Sequence, residues 1–349
     1  MQMKLPQEQT NKTPLLTEQI DPRYADLDSW STARMIAAMY DGQVAAAAAV
    51  EPVLDALARA VDDAVPGLTR GGRIVYAGAG TSGRIGVQDG AELTPTFDWP
   101  ADRVVFLMAG GPAALLRSAE AAEDSEDNGA HAVAAAKIGP DDVIIAIAAS
   151  GATPYTVGAL RAAGSAGAVT IAIANNPGAP LLELARHPIL VETGSEIIAG
   201  STRMKAGTAH KIVLNLFSTA LMVKLGRIYR GMMVHMRATN AKLRRRAEAI
   251  VREIAGCTQT EAARYVDEAC GDVKIAVLLA FGMNSPEAAR LLELHEGNLR
   301  VAIGDRFPPP RAGEVPSGAR RRGTSRSITP PSGPSGHLPH VGGGKENKR

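Results

Sequence analysis

Five short runs constrain this chain more than anything else in it: RIVYA (73–77), RVVFLM (103–108), VIIAIA (143–148), VTIAIA (169–174) and ILVE (189–192). Each is apolar almost throughout, without polar alternation. A strand of that kind has to be covered on both faces, the condition of a parallel sheet between helical layers. Segments 112–122, 154–163 and 206–225 between and after these runs read as helices, so the alternation predicts an α/β fold. Ahead of it, Ser31-Thr32 precedes an apolar-periodic stretch through Met35, Ile36 and Met39. A further helix is expected from about Gln43 to Val65, ending before Pro66-Gly67.

Ligands of such sheets bind where strands end and helices begin. Three turns there combine glycine with small hydroxyls: GAGTSGR (78–84), ASGATP (149–154) and GSTRMKAG (200–207). Glycine lets backbone approach a ligand, and a helix N-terminus offers free N–H groups to an anion. One such turn is ordinarily a capped helix; three on one sheet favour a phosphate ester with several hydroxyls. The first turn also fits G-x-G-x-x-G through Gly78, Gly80 and Gly83. A dinucleotide site would need an acid at the end of the second strand, and RVVFLM runs into Ala109-Gly110-Gly111 instead. Asp124, Glu126, Asn128 and Gly129 imitate the start of a calcium loop, but the position requiring a bidentate Glu is Ala135. The seven histidines show no metal-ligand spacing, so neither a metal nor a cofactor is expected.

From about Ala241 the pattern is helical only. Thr258–Glu261 reads as a capping box after Gly256, Val273–Ala280 follows Gly271-Asp272, and Ser285-Pro286-Glu287 opens a third helix with Ser285 as N-cap. The last 43 residues hold eight Pro and eight Gly and carry +6, leaving −4 on residues 1–306 beneath a net +2. That composition cannot offset its ordering entropy by burial, so disorder is expected there. The expected organisation is a helical lead (1–42), a sugar-phosphate domain (43–240), a small helical module (241–306) and a basic tail (307–349). Near-balanced charge and 4% aromatics argue against a nucleic-acid partner. Cys257 and Cys270 are too few for a disulfide framework, the polar N-terminus lacks a secretory pattern, and no run approaches the ~20 apolar residues of a membrane span. A soluble cytoplasmic protein without a membrane partner is the expectation.

Glu92, in DGAELTPT (89–96), and Glu123, in EAAEDSED (120–127), read from spacing alone as surface carboxylates, Glu123 at a helix end before Gly129. A resemblance changes that reading. The words GAGTSGRI (78–85), DGAELTPTF (89–97), AEDSED (122–127), AASGATPY (148–155), GSEIIAGSTRMKAGTAHK (194–211), ATNAKL (238–243) and IAGCTQTEA (254–262) resemble the N-acetylmuramic acid 6-phosphate etherase family in order, from about Asp21 to Ile303. The longest word also resembles a signature of glucokinase regulatory protein. The resemblance implies a flavodoxin-like three-layer SIS domain, a C-terminal three-helix module like ubiquitin-associated domains, a homodimer and no metal. It implies cleavage of the lactyl ether to N-acetylglucosamine 6-phosphate and D-lactate. It puts catalytic glutamates at Glu92 (acid at the ether oxygen) and Glu123 (base at C2). Gly80, Thr81, Ser82, Ser150, Gly151, Thr153, Ser201 and Arg203 would hold the sugar phosphate. The sequence departs from the family's pattern at Ala91 and at His235, where Ser and Asp are common. The alternative is a sugar-phosphate-sensing regulator of the same fold without catalysis; an aldose-ketose isomerase fits the 194–211 word less well.

Overall fold

Five strands, β1 (Ile74–Gly78), β2 (Val104–Met108), β3 (Val143–Ile147), β4 (Val169–Ala174) and β5 (His187–Leu190), pair in parallel in the order β2-β1-β3-β4-β5. This computed structural model describes residues 15–117, 120–238 and 240–306, so the basic tail expected at 307–349 lies outside the described residues. Alternate strand residues face opposite cores. Ile74, Tyr76, Ile145, Ile147, Ile171 and Ile173 share one cluster with helices α2 (Leu54–Thr69) and α8 (Lys205–Lys224). Val75, Ala77, Ile144, Ala146 and Ala172 share the other with α5 (Glu126–Ala135), α6 (Pro154–Ser165) and α7 (Pro180–Leu184). The predicted three-layer α/β sandwich is therefore present, each apolar run being wanted on both faces. The remaining helices before the C-terminal region are α1 (Thr32–Ala48), α3 (Gly80–Ala91) and α4 (Leu93–Phe97).

Three boundaries differ from expectation. The helix expected over 43–65 is interrupted at a 3-10 turn, Glu51–Val53, because Pro52 has no N–H to continue the ladder. The next helix, α2, runs through Pro66 to Thr69, where burial of Leu68 outweighs the lost hydrogen bond. Among its described residues, the segment 112–122 forms 3-10 turns, Pro112–Leu115 and Glu120–Ala122, and no α-helix. The helix starts later, where the Ser125 hydroxyl accepts from the Asn128 N–H at 3.2 Å and Glu126 and Asp127 sit in the first turn. Glu123 thus precedes a helix start instead of standing at a helix end.

That start is locked onto α6 by two glycines. A Cβ on Gly129 would lie 2.0 Å from the Tyr155 carbonyl oxygen, and one on Gly158 would lie 2.1 Å from that of Glu126. Backbone therefore meets backbone where α5 crosses α6. A similar contact joins the end of β1 to α3, where a Cβ on Gly78 would lie 2.9 Å from the Gly83 Cα.

Among the described residues, the C-terminal region holds five helices: α9 (Ala241–Ala255), α10 (Gln259–Glu268), α11 (Val273–Ala280), α12 (Ser285–Leu294) and α13 (Leu299–Arg306). The three helices expected correspond to α10, α11 and α12; α9 and α13 pack against the same apolar cluster. The Thr258–Glu261 capping box forms as expected. At α12 the cap is Asn284, not Ser285, and its side chain exchanges bonds with Glu287 in a second capping box. His235 accepts a hydrogen bond at Nδ1 from the buried Lys274 ammonium (2.7 Å), and its Nε2 lies 4.0 Å from Asp98. Burial, with Lys274 and two arginines adjacent, holds its pKa down to about 2, so it is the neutral acceptor this contact needs.

Gly158→Ala should lower the stability of the chain by about 1–3 kcal/mol, since the added methyl meets backbone that cannot rotate away. Urea unfolding followed by far-UV circular dichroism checks this; an unchanged midpoint would contradict the bare-backbone crossing.

Candidate active site

Strand order 2-1-3-4-5 places the topological switch between β1 and β3, whose connections leave to opposite sides; ligands of such sheets bind there, beyond the strands' carboxyl ends. The first two hydroxyl-glycine turns leave these two neighbouring strands, since Gly78 pairs with Ile147. They are brought side by side, about 4.8 Å apart by the spacing of paired strands.

The first turn is open. Gly80 has φ +53°, which a side chain would strain, and a Cβ there would meet nothing within 4 Å. No side chain caps α3, and its first ladder bond is Gly83 N–H to the Ala79 carbonyl, so the N–H groups of residues 80–82 stay unspent by the helix. Ser82 is nearly buried, its Oγ 3.4 Å from His210 Nδ1 on α8. Thr81, half-buried, has its methyl under Gly207.

In the second turn Gly151 has φ +66°, and a Cβ would lie 2.4 Å from that of Ala179. This glycine is required by the chain behind it and leaves the ligand side to Ser150 and Thr153. Their hydroxyl oxygens are 3.5 Å apart, and Thr153 does not spend its own on capping α6. The Tyr155 N–H, in the first turn of α6, donates to the Glu123 carbonyl at 3.0 Å. Glu123 is thereby fixed, half-buried, beside the Ser150–Thr153 turn.

The third turn differs from what its sequence suggests. Gly200 stands ten residues past β5, and the helix that follows is already occupied by an anion. The fully buried Glu196 carboxylate accepts from the Lys205 and Ala206 N–H groups, each at 2.9 Å. The expectation of free N–H groups at this third helix start is therefore corrected. Ser201 is half-buried and Arg203 exposed, and no ion pair involves Arg203 among the described residues.

Buried Thr17 ties this loop to the second turn. The Asn176 amide donates to the Thr17 hydroxyl (3.1 Å) and to the Ala149 carbonyl (2.8 Å), while the Thr17 carbonyl accepts from the Gly200 N–H (3.0 Å). Sequence reasoning gave no role to Thr17, Asn176, Glu196 or His210. Glu196 and His210 lie inside the 194–211 word, and Asn175-Asn176 sets two amides directly after the apolar run of β4.

Glu92 stands apart. It is exposed between α3 and α4. Twelve residues of α3 separate it from Gly80, about 18 Å along the helix axis. One chain therefore brings together Gly80–Ser82, Ser150–Thr153 and Glu123, but not Glu92. Among the described residues no group of three or more His, Cys, Asp or Glu could hold a metal ion, and no helix is long and apolar enough to cross a membrane.

Residues 56–164 match the glucokinase regulatory protein N-terminal SIS domain model, and residues 114–220 match the SIS domain model. N-acetylmuramic acid 6-phosphate etherase of Deinococcus radiodurans is 52% identical over 293 residues, 84% of this chain and 96% of the relative. The etherase of Rubrobacter xylanophilus is 43% identical over 292 residues, 83% and 96% of the two chains. This chain belongs to the N-acetylmuramic acid 6-phosphate etherase family. A phosphoheptose isomerase structure from Francisella tularensis aligns with 56% of this chain and all of its own at 16% identity and a TM-score of 0.40. Of the departures from the etherase pattern, Ala91 closes α3 beside Glu92, and His235 lies with Lys274 in the C-terminal region.

His210 sits fully buried in this etherase-family fold, and burial lowers its pKa to about 4. Between pH 6.5 and 4 it takes up a proton only on unfolding, so it contributes stability above that window and loses it as pH falls through it. From pH 7 to pH 5 the chain should lose about 2 kcal/mol more than His210→Gln does. Urea midpoints of both proteins at the two pH values test this; parallel losses would contradict it.

Proposed function

We propose that this chain cleaves the lactyl ether of N-acetylmuramic acid 6-phosphate, giving N-acetylglucosamine 6-phosphate and D-lactate in the recycling of cell-wall amino sugars. The observation that carries the reading is the uncapped start of α3 beside the Ser150–Thr153 hydroxyls, with Glu123 hydrogen-bonded onto the same turn. The 52% relative of this name adds the substrate. In the proposed complex the phosphate takes the N–H groups of residues 80–82 with the Thr81 and Ser82 hydroxyls. Ser150, Thr153 and Ser201 bind sugar hydroxyls, and Arg203 supplies charge at the rim.

The aldehyde at C1 of the open-chain sugar acidifies the C2 proton. Glu123 removes that proton as base while Glu92 protonates the ether oxygen at C3 and lactate departs. The C2–H and C3–O electron pairs become the new double bond and the leaving alcohol. Water then adds at C3 with the proton returned to C2, so no net oxidation occurs. No metal or cofactor takes part in this sequence.

Because α3 carries Glu92 a helix length from the turns, we place it in the site of a second subunit, which makes the working enzyme a homodimer. The absence of an apolar span among the described helices and the metabolic substrate support a cytoplasmic setting. Incubation with the substrate should release D-lactate, and Glu92→Gln or Glu123→Gln should slow release by about 100-fold or more. Substrate binding without lactate would leave the regulatory reading instead. Refolding an equal mixture of the two variants together should restore about a quarter of native activity, because one site in each mixed dimer of isologous subunits is intact. No recovery would put both glutamates in one subunit's site.

A further inference from the structure

At the opposite edge of the sheet, before β1 and β2 begin, a cavity of about 420 Å³ lies between the ends of α2 and α8 and helices α12 and α13. A five-residue strand separates the two edges by about 17 Å. Two arginines with no carboxylate at ion-pair distance among the described residues line it. Arg227, nine-tenths buried, donates through Nη1 to the Phe97 and Asp98 carbonyls, at 2.9 and 2.7 Å. Its Nε and Nη2 make no hydrogen bond among the described residues. Arg103, half-buried, donates through Nε and Nη2 to the carbonyls of Gly72 and Leu68, leaving Nη1. Both guanidiniums stack on Trp99, with Cζ 4.2 and 4.8 Å from the ring centroid.

Neither arginine has an ion pair among the described residues, although buried charge is ordinarily paired. Burial, opposed by the Asp98 carboxylate beyond ion-pair distance and helped by Arg103, brings Arg227 down to about 10. Lys224, paired with Asp62 at the mouth, adds a third cation, and His295 is turned to Asp305. Glu296 is the single acid in the lining.

We propose that this cavity is a second anion site, taking a phosphoryl dianion, free or carried on a small metabolite. The Nε–Nη2 edge of a guanidinium matches two oxygens of one oxyanion. A second guanidinium reaching the same space calls for a group with more than two oxygens and more than one charge, which is phosphate before carboxylate. The site's volume leaves room for a hexose-sized body beside the phosphoryl group. The inference stands independently of the proposed reaction, because none of its residues belongs to the turns described above.

Trp30→Phe leaves Trp99 as the sole tryptophan, so its emission reports this cavity and not the turns. The full chain in that background is titrated with inorganic phosphate, and separately with glucose 6-phosphate, at ionic strength held constant with chloride. A saturable change in Trp99 emission is expected. Its midpoint should rise about tenfold or more with Val301→Glu, whose half-exposed side chain lines the cavity and would supply an internal counter-ion. It should fall with Glu296→Gln, an effect that a folding defect would not produce, and stay unmoved by Ser82→Ala. A lower midpoint for the ester than for the free ion identifies a phosphorylated metabolite, and the reverse identifies phosphate itself. No saturable change, a midpoint that Val301→Glu leaves within about twofold, or loss of the signal with Ser82→Ala would each overturn the proposal.

Discussion

The arrangement of the candidate site depends on places where backbone touches backbone with nothing between. At the α5–α6 crossing, Gly129 and Gly158 each present a bare Cα to the other helix's carbonyls. The approach lets the Tyr155 N–H reach the Glu123 carbonyl, so a residue in an irregular stretch is fixed to the first turn of a helix. At β1, the Gly78–Gly83 contact lets α3 turn back sharply over the strand it has just left. Close packing of this kind is unforgiving, because main chain has no alternative rotamer in which to accommodate an added methyl.

The sheet was legible because its five runs are apolar on both faces, a pattern that few other arrangements tolerate. The first two turns were legible for a related reason: glycine and hydroxyl residues directly after such a run have few purely structural uses. What stayed hidden was set by partners far away in the chain. Glu196 looked like one more polar residue in a long loop, yet its carboxylate fills a helix start nine residues later. Thr17 gave no local sign of meeting Asn176, 159 residues on. The start of α5 was misplaced because Pro112 resembles a first-turn proline, whereas Ser125 supplies the actual cap. Glu92 could be named by resemblance, but only the length of α3 reveals how far it lies from the turns.

The two edges of the sheet use charge differently. At the carboxyl edge the candidate site has main-chain N–H groups and hydroxyls, with few fixed charges. At the amino edge, Arg103 and Arg227 spend part of their donors on carbonyls that close the ends of helices and stack the rest of their surface on Trp99. A net charge near zero for the whole chain therefore says little about either edge.

Glu196 has one more consequence. Of the three helix starts around the candidate cleft, α8 already contains a negative charge that belongs to the protein, and α6 has a main-chain carbonyl on one of its leading N–H groups. Among the described residues, α3 alone of the three has neither. On the proposed function, a ligand with a single phosphoryl group would be oriented by that start, whereas a diphosphate or nucleotide of similar size would meet an intramolecular competitor where its second charge would settle. Discrimination by number of phosphates would then precede the reading of any sugar hydroxyl.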